Sequence, residues 1–280
     1  MGALVRWPWQ RPPSLATGPC PMSFFAIDIG NTNVVFGLFA GESLEHTFRV
    51  SASRERTADE YAVLLRELLR ARSIDPAAIT AAIIASVVPP LTDVLGNAVR
   101  EGFARAPVVV GPGLKTGIPV LYENPREVGA DRIVNAVAAF DRVRGPAIVV
   151  DFGTATTFDC ISPRGEYLGG VIVPGVKVSL DGLVASAAKL SGVEIAEPPR
   201  VLGRNTTHAI QSGIVHGYAA LVDGLVRKLV TELGHPCAVL ATGGFAGLIA
   251  RHSEEIASVD PHLTLIGLRI LHERNAERRS

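Results

Sequence analysis

The tightest constraint on this chain is a repeat: an apolar-apolar-Asp-x-Gly pattern ends a strand-like run twice, as AIDIG at 26–30 and as VVDFG at 149–153. Each copy opens the same succession of elements. After the first, FFAI (24–27), VVFGLF (34–39) and SLEHTFRV (43–50) read as a three-strand meander that turns at Gly41. Thr57 with Asp59 and Glu60 opens a helix carrying Tyr61, Leu64, Leu65, Leu68 and Leu69 at helical spacing. AAIIASVV (81–88) is a buried strand halted by Pro89-Pro90, and PVVV (107–110) is another. After the second copy, AIVV (147–150), TTFDCI (156–161) and YLGGVIV (167–173) repeat the meander. Helical stretches at 176–190 and 206–233, a strand at 237–244, a last strand at 263–266 and a helix over 267–275 follow. The order strand-strand-strand-helix-strand-helix-strand thus occurs twice. It predicts an α/β protein of two similar lobes, each a mixed β-sheet with flanking helices, and a site in the cleft between them.

Length agrees, since 280 residues at roughly 150 per domain suggest two units. The lobes are expected over 22–132 and 133–280, with a helix starting near Asp131 crossing the boundary. Residues 1–21, broken by five prolines, read as a disordered or non-native extension. With 48% apolar and 19% charged residues the chain can fill large cores. Its 27 basic and 27 acidic residues cancel, which argues against a nucleic-acid partner. No apolar run approaches the ~20 residues of a membrane span. Three scattered cysteines, Cys20, Cys160 and Cys237, form no disulfide framework and suit a reducing, cytoplasmic setting.

Chemistry concentrates in three segments. In DIGNTN (28–33), Asp28 ends a strand, Gly30 permits a tight turn, and Asn31, Thr32 and Asn33 add donors beside exposed backbone N–H groups. Such a hairpin can hold phosphate oxygens while its carboxylate faces Mg²⁺, directly or through water. Alone it is equally an Asp satisfying turn amides. DFGTAT (151–156) puts Asp151 and Thr154 at the equivalent place in the other half, so two facing hairpins can grip a polyphosphate. That is the logic of duplicated ribonuclease-H-like, actin-like lobes. GxxxxGK[ST] and GxGxxG are both absent. Third, GADRIVNA (129–136) opens a helix. Asp131 is there either an ordinary cap or a base near an attacking hydroxyl, with its pKa lowered by the helix N-terminus. Arg132 suits an anionic group on the substrate. ATGG (241–244) after a strand either admits a flat nucleoside or, as the segment alone favours, is an ordinary strand-to-helix turn. Asn205, Thr206 and Thr207 precede a helix, and His208 and His216 read as ordinary helix residues.

With RTADEY (56–61), GGVIVPG (169–175), NTTHAIQSG (205–213) and DPHLTLIGL (260–268), these segments resemble the type III pantothenate kinases from about Met22 to Asn275. The resemblance implies phosphorylation of pantothenate to 4'-phosphopantothenate by ATP, the first step of coenzyme A biosynthesis. It also implies a homodimer, Mg²⁺ or another divalent cation, and K⁺ or NH₄⁺. ATP would be bound by Asp28, Ile29, Gly30, Asn31, Thr32, Asn33, Val34, Val35 and Thr154. Pantothenate would be bound by Tyr122, Gly129, Ala130, Asp131, Arg132 and Thr206. Asp131 would accept the proton, Asp151 would take the monovalent cation, and Asp28 would stand near Mg²⁺. Such a cation would offset repulsion between phosphates and carboxylates in a cleft of low dielectric. Two positions depart from the family's pattern: Leu190 is followed by Ser191-Gly192 rather than Pro, and Ile266 stands where an acidic residue is usual. A non-catalytic nucleotide-binding regulator on the same scaffold, or a kinase of another small hydroxylated substrate, are the alternatives.

Overall fold

A computed structural model describes residues 23–187 and 192–276. The reading of residues 1–21, the end of the 176–190 helix and the departure at Leu190-Ser191 fall outside the described residues.

Strands β1 (Ser23–Ile29), β2 (Asn33–Ala40) and β3 (Ser43–Ser51) form an antiparallel meander. Helix α1 (Ala58–Arg70) leads to β4 (Ile79–Ser86), parallel to β1, and α2 (Pro89–Phe103) leads to the short β5 (Val108–Val109). Helix α3 (Ala130–Val143) closes the first half. The second half repeats it with β6 (Ala147–Phe152), β7 (Ala155–Ile161), β8 (Tyr167–Pro174), α4 (Val176–Ser186), α5 (Thr206–Leu233), β9 (Ala238–Gly243), α6 (Ala246–Ile249), β10 (Ser258–Val259) and α7 (Leu263–Ala276). The two five-stranded sheets run β3-β2-β1-β4-β5 and β10-β9-β6-β7-β8, the same order read in opposite directions along the list. This is the duplicated actin-like fold.

Local chemistry explains the ends of the elements. Thr57 and Glu60 make a reciprocal capping box at the start of α1. Asn205 caps α5 by accepting from the His208 backbone N–H at 2.8 Å. Gly234 ends that helix at φ 75°, a conformation that a side chain would strain.

Packing gives five layers. Helices α1 and α2 cover the outer face of the first sheet around Phe25, Phe36, Leu65 and Leu95. Helices α4, α5 and α6 cover the outer face of the second around Val150, Phe158, Val222 and Ile249. Between the sheets lie α3 and α7, packed on each other in one core with Ala26 and Ile83 on one side and Val149 and Leu240 on the other. The expected strand at 263–266 is not formed. Leu263, Leu265 and the residues after them belong to α7, and the final strand of the sheet is Ser258–Val259. LTLIGLRI is a short apolar run buried between two sheets, so it lacks the solvent-facing stripe that would reveal a helix.

Candidate active site

The two Asp-x-Gly segments occupy matching places. Asp28 is the penultimate residue of β1 and Asp151 the penultimate residue of β6. Both strands are central in their sheets, and both carboxylates stand at the carboxyl end, where open α/β sheets bind ligands. In the turn after β1 the Gly30 N–H donates to the Asn33 carbonyl at 3.0 Å. In the turn after β6 the Gly153 N–H donates to the Ala155 carbonyl at 3.1 Å. The tips of these turns meet: the Thr32 and Thr154 hydroxyls are 3.0 Å apart and exposed.

Asp131 joins them from α3. Gly129 is the N-cap of that helix, and a Cβ there would stand 2.5 Å from Asp131 Oδ1, so only glycine leaves space for the carboxylate to fold back. Asp131 Oδ1 accepts from the Arg132 backbone N–H at 2.8 Å. Gly243, at the end of β9 with φ 93°, is required for the same reason: a Cβ would lie 2.6 Å from Asp151 Oδ1. Its neighbour Gly244 is exposed and faces open space.

The charge of Asp131 acts on both of the other carboxylates. Burial, then the charges of Asp131 and Asp151, push Asp28 up to about 8, against a smaller opposing pull from Arg49. Burial, then Asp131, push Asp151 up to about 7 against the Asn135 amide, which donates to Asp151 Oδ2 at 3.1 Å. Asp131 is also raised, by burial, against the Arg132 N–H and guanidinium. The expectation of a lowered Asp131 pKa at the helix N-terminus is therefore reversed, because loss of water outweighs one turn of helix amides.

Such a cluster suits cations. Among the described residues no three carboxylate, imidazole or thiol groups converge as a complete metal cage, so any ion there depends on further ligands from substrate or water. The cluster also has a consequence for stability. Folded values above the ordinary 3.8 mean that protons favour the fold: the contribution is complete below about 3.8 and is lost as pH rises through 7 to 8. Between pH 6 and 8.5, in buffer free of K⁺, NH₄⁺ and divalent ions, the melting temperature should fall by roughly 3–8 °C beyond that of the Asp28→Asn/Asp151→Asn variant. Parallel profiles for the two proteins would refute the cluster's titration.

The remaining candidates divide. Ile29, Val34 and Val35 build the ladder between β1 and β2, where Asp28 pairs with Val35 and Ile29 with Val34. Ile29 and Val34 are buried in the outer core of the first lobe, while Asn31 and Asn33 flank the exposed Thr32. Ala130 opens α3 beside Asp131. Tyr122 lies 6.4 Å from the Tyr167 ring and over Gly169, in the neighbourhood of Arg132. Thr206 stands apart. It is exposed at the start of α5, in a groove with Leu183, Gly203 and Ile210, and makes no hydrogen bond to Asp131, Arg132 or Tyr122. Residues not singled out in the sequence also matter. Asn135 holds Asp151 and is itself held by the Thr264 hydroxyl of α7 at 2.8 Å. Asp159 pairs with Arg132 at 2.7 Å. The available signal for both was a polar residue within an apolar run.

Comparison with known proteins places the chain in a family. The type III pantothenate kinase family model matches residues 24–228. A type III pantothenate kinase of Anaeromyxobacter sp. (strain Fw109-5) is 56% identical over 250 residues, covering 89% of this chain and 98% of the relative. Those of Myxococcus xanthus (strain DK1622) and Moorella thermoacetica are 54% and 52% identical over the same length. Among solved structures, a protein of Campylobacter jejuni described as a Baf family transcriptional activator superposes with a TM-score of 0.55 at 20% identity, covering 90% of this chain and 99% of that one. One of Sinorhizobium meliloti described as a 2-dehydro-3-deoxygalactonokinase superposes at 0.53 and 12% identity, covering 90% and 96%. These distant likenesses speak to the fold. From the matched segments, the twin hairpins and the identity over nearly the whole described chain, the protein belongs to the type III pantothenate kinase family.

Proposed function

We infer that this pantothenate kinase works across the inter-lobe cleft, moving the terminal phosphoryl group of ATP to the terminal hydroxyl of pantothenate and releasing ADP and 4'-phosphopantothenate, the first step of coenzyme A biosynthesis. The observation that carries the reading is the meeting of Thr32 and Thr154, 3.0 Å apart, beside the carboxylates of Asp28 and Asp151, on both of which the charge of Asp131 acts.

The residues divide the work by chemistry. The 28–35 hairpin and Thr154 offer backbone N–H groups and hydroxyls to the phosphates. Gly129 through Arg132, with Tyr122 and Thr206, receive pantothenate. Asp131 accepts the hydroxyl proton as the new O–P bond forms and the bond to the β-phosphate oxygen breaks. Its raised pKa makes it a better base than a solvated aspartate, and positioning contributes most of the rest. Asp28 would hold Mg²⁺, directly or through water, and Asp151 would hold K⁺ or NH₄⁺. Bound cations supply charge neutralisation for the phosphates and carboxylates.

A homodimer is the proposed assembly. Leu183 lines the groove that holds Thr206, and Val201 and Leu202 lead into Gly203 of that groove; they stand 45%, 69% and 73% exposed, apolar surface that a partner could cover. A second copy covering this face would also bring Thr206 out of its isolation. The cytoplasm is the proposed location, in keeping with the free thiols of Cys160 and Cys237 and the need for ATP.

The test is direct. Purified protein with ATP, Mg²⁺, K⁺ and pantothenate should yield a product one phosphate heavier by mass spectrometry, with one ADP formed per product. ADP formation without that product, or no turnover across the divalent metals, would overturn the assignment.

A further inference from the structure

The most unusual charged group outside the carboxylate cluster is the pair of Arg132 and Asp159. Asp159 sits on β7 between the buried Phe158 and Cys160 and is fully enclosed. Three donors converge on it: Arg132 Nε at 2.7 Å and the Tyr167 hydroxyl at 2.8 Å on Oδ1, and the Thr157 hydroxyl at 3.1 Å on Oδ2. Arg132 is 8% exposed, and its guanidinium carbon stands 5.8 Å from the Tyr167 ring centroid. Its Nη2 is buried and bonds to nothing in the protein.

These facts fix a direction. A guanidinium is a planar fork, so anchoring Nε on a carboxylate and one face against an aromatic ring leaves the Nη edge little freedom. A buried ion pair kept for packing alone is expected to satisfy every donor, because an enclosed unpaired N–H is costly. Arg132 leaves one unsatisfied while following Asp131 directly in the chain. Tyr122 lies in the same neighbourhood, its ring 3.4 Å from where a side chain on Gly169 would begin.

We propose that Asp159 and Tyr167 are positioning residues that lock Arg132 so that the Nη edge of its guanidinium meets the carboxylate of pantothenate. This rests on the assignment of pantothenate as substrate. It adds that recognition of the acid end is set by a buried residue on the second lobe's sheet, out of reach of the substrate. Discrimination between pantothenate and its alcohol analogue, in which CH₂OH replaces the carboxylate, is then a property of the Asp159–Arg132 unit.

The experiment measures kcat and KM for pantothenate, the alcohol analogue and ATP in Asp159→Asn, Tyr167→Phe, Arg132→Ala and the double variant Asp159→Asn/Arg132→Ala. Asp159→Asn should raise KM for pantothenate about 10–100-fold, the span of one charge-assisted hydrogen bond, with KM for ATP within about 2-fold. Preference for the acid over the alcohol should fall by a similar factor. Tyr167→Phe, which removes one hydroxyl and keeps the packing, should act in the same direction by about 3–10-fold and decides the matter should Asp159→Asn not fold. In the Arg132→Ala background, Asp159→Asn should add no further loss of preference. Equal changes in KM for ATP and pantothenate, an unchanged acid-to-alcohol preference, or additive effects in the double variant would each overturn the proposal. Wild-type protein that phosphorylates neither pantothenate nor its alcohol would instead remove the substrate assignment on which it stands.

Discussion

Asp131→Asn should lower kcat for pantothenate phosphorylation by about 10³-fold, within the range that a single general base supplies. The amide keeps the size of the side chain and can still accept from the Arg132 N–H, which Asp131 Oδ1 now does at 2.8 Å. What it loses is the ability to take a proton. Removing the Asp131 charge also lets Asp28 and Asp151 fall towards their ordinary values, since it is the leading charge acting on both. The variant should therefore melt no lower than the parent at pH 8, while its turnover collapses. Gel filtration, thermal melting and steady-state rates on one preparation separate the two effects. Turnover within about 5-fold of the parent would show that positioning alone drives transfer and that Asp131 is not the base.

Gly267→Ala should be strongly destabilising, because it adds a methyl group where the two central helices touch. Gly267 lies on α7 where it crosses α3. A Cβ there would stand 2.2 Å from the Val134 carbonyl oxygen and 2.7 Å from its Cγ1. A backbone carbonyl in mid-helix cannot turn aside, so the two helices must separate. Overpacking of this kind costs up to about 3 kcal/mol, roughly 6–12 °C in melting temperature for a protein of this size. The loss should extend to function, because α3 carries Asp131 and because Thr264 of α7 holds Asn135 against Asp151. We expect KM for ATP and pantothenate to rise together, in contrast to the selective effect of Asp159→Asn. A denaturation midpoint within experimental scatter of the parent would show that the α3–α7 contact yields more easily than the geometry indicates.

Much of the architecture was readable because duplication supplied its own control. AIDIG and VVDFG, each followed by two more strand-like runs, gave the meander twice, and both meanders are present with the same pairing. The capped helices were equally readable, since Thr57 and Asn205 each announce a start by local chemistry. The run at 263–266 misled because its helix is buried on opposite sides, and a residue hidden from water all round carries no periodic polar mark. Asp131's proton affinity misled for a related reason. The helix amides that lower it are written in the sequence, but the burial that raises it depends on β1 and β6 arriving from far along the chain.

The amino-acid sequence by itself determined the repeat, the two Asp-x-Gly turns, the glycine before Asp131 and the family, because those depend on short-range backbone chemistry and on matched segments. Only the tertiary structure decided that Thr32 touches Thr154, that three aspartates share one cleft, and that Asp159 and Thr264 steer Arg132 and Asn135. Such pairings depend on how two sheets dock across α3 and α7, and docking is set by shape and burial summed over the whole core, which no short segment encodes.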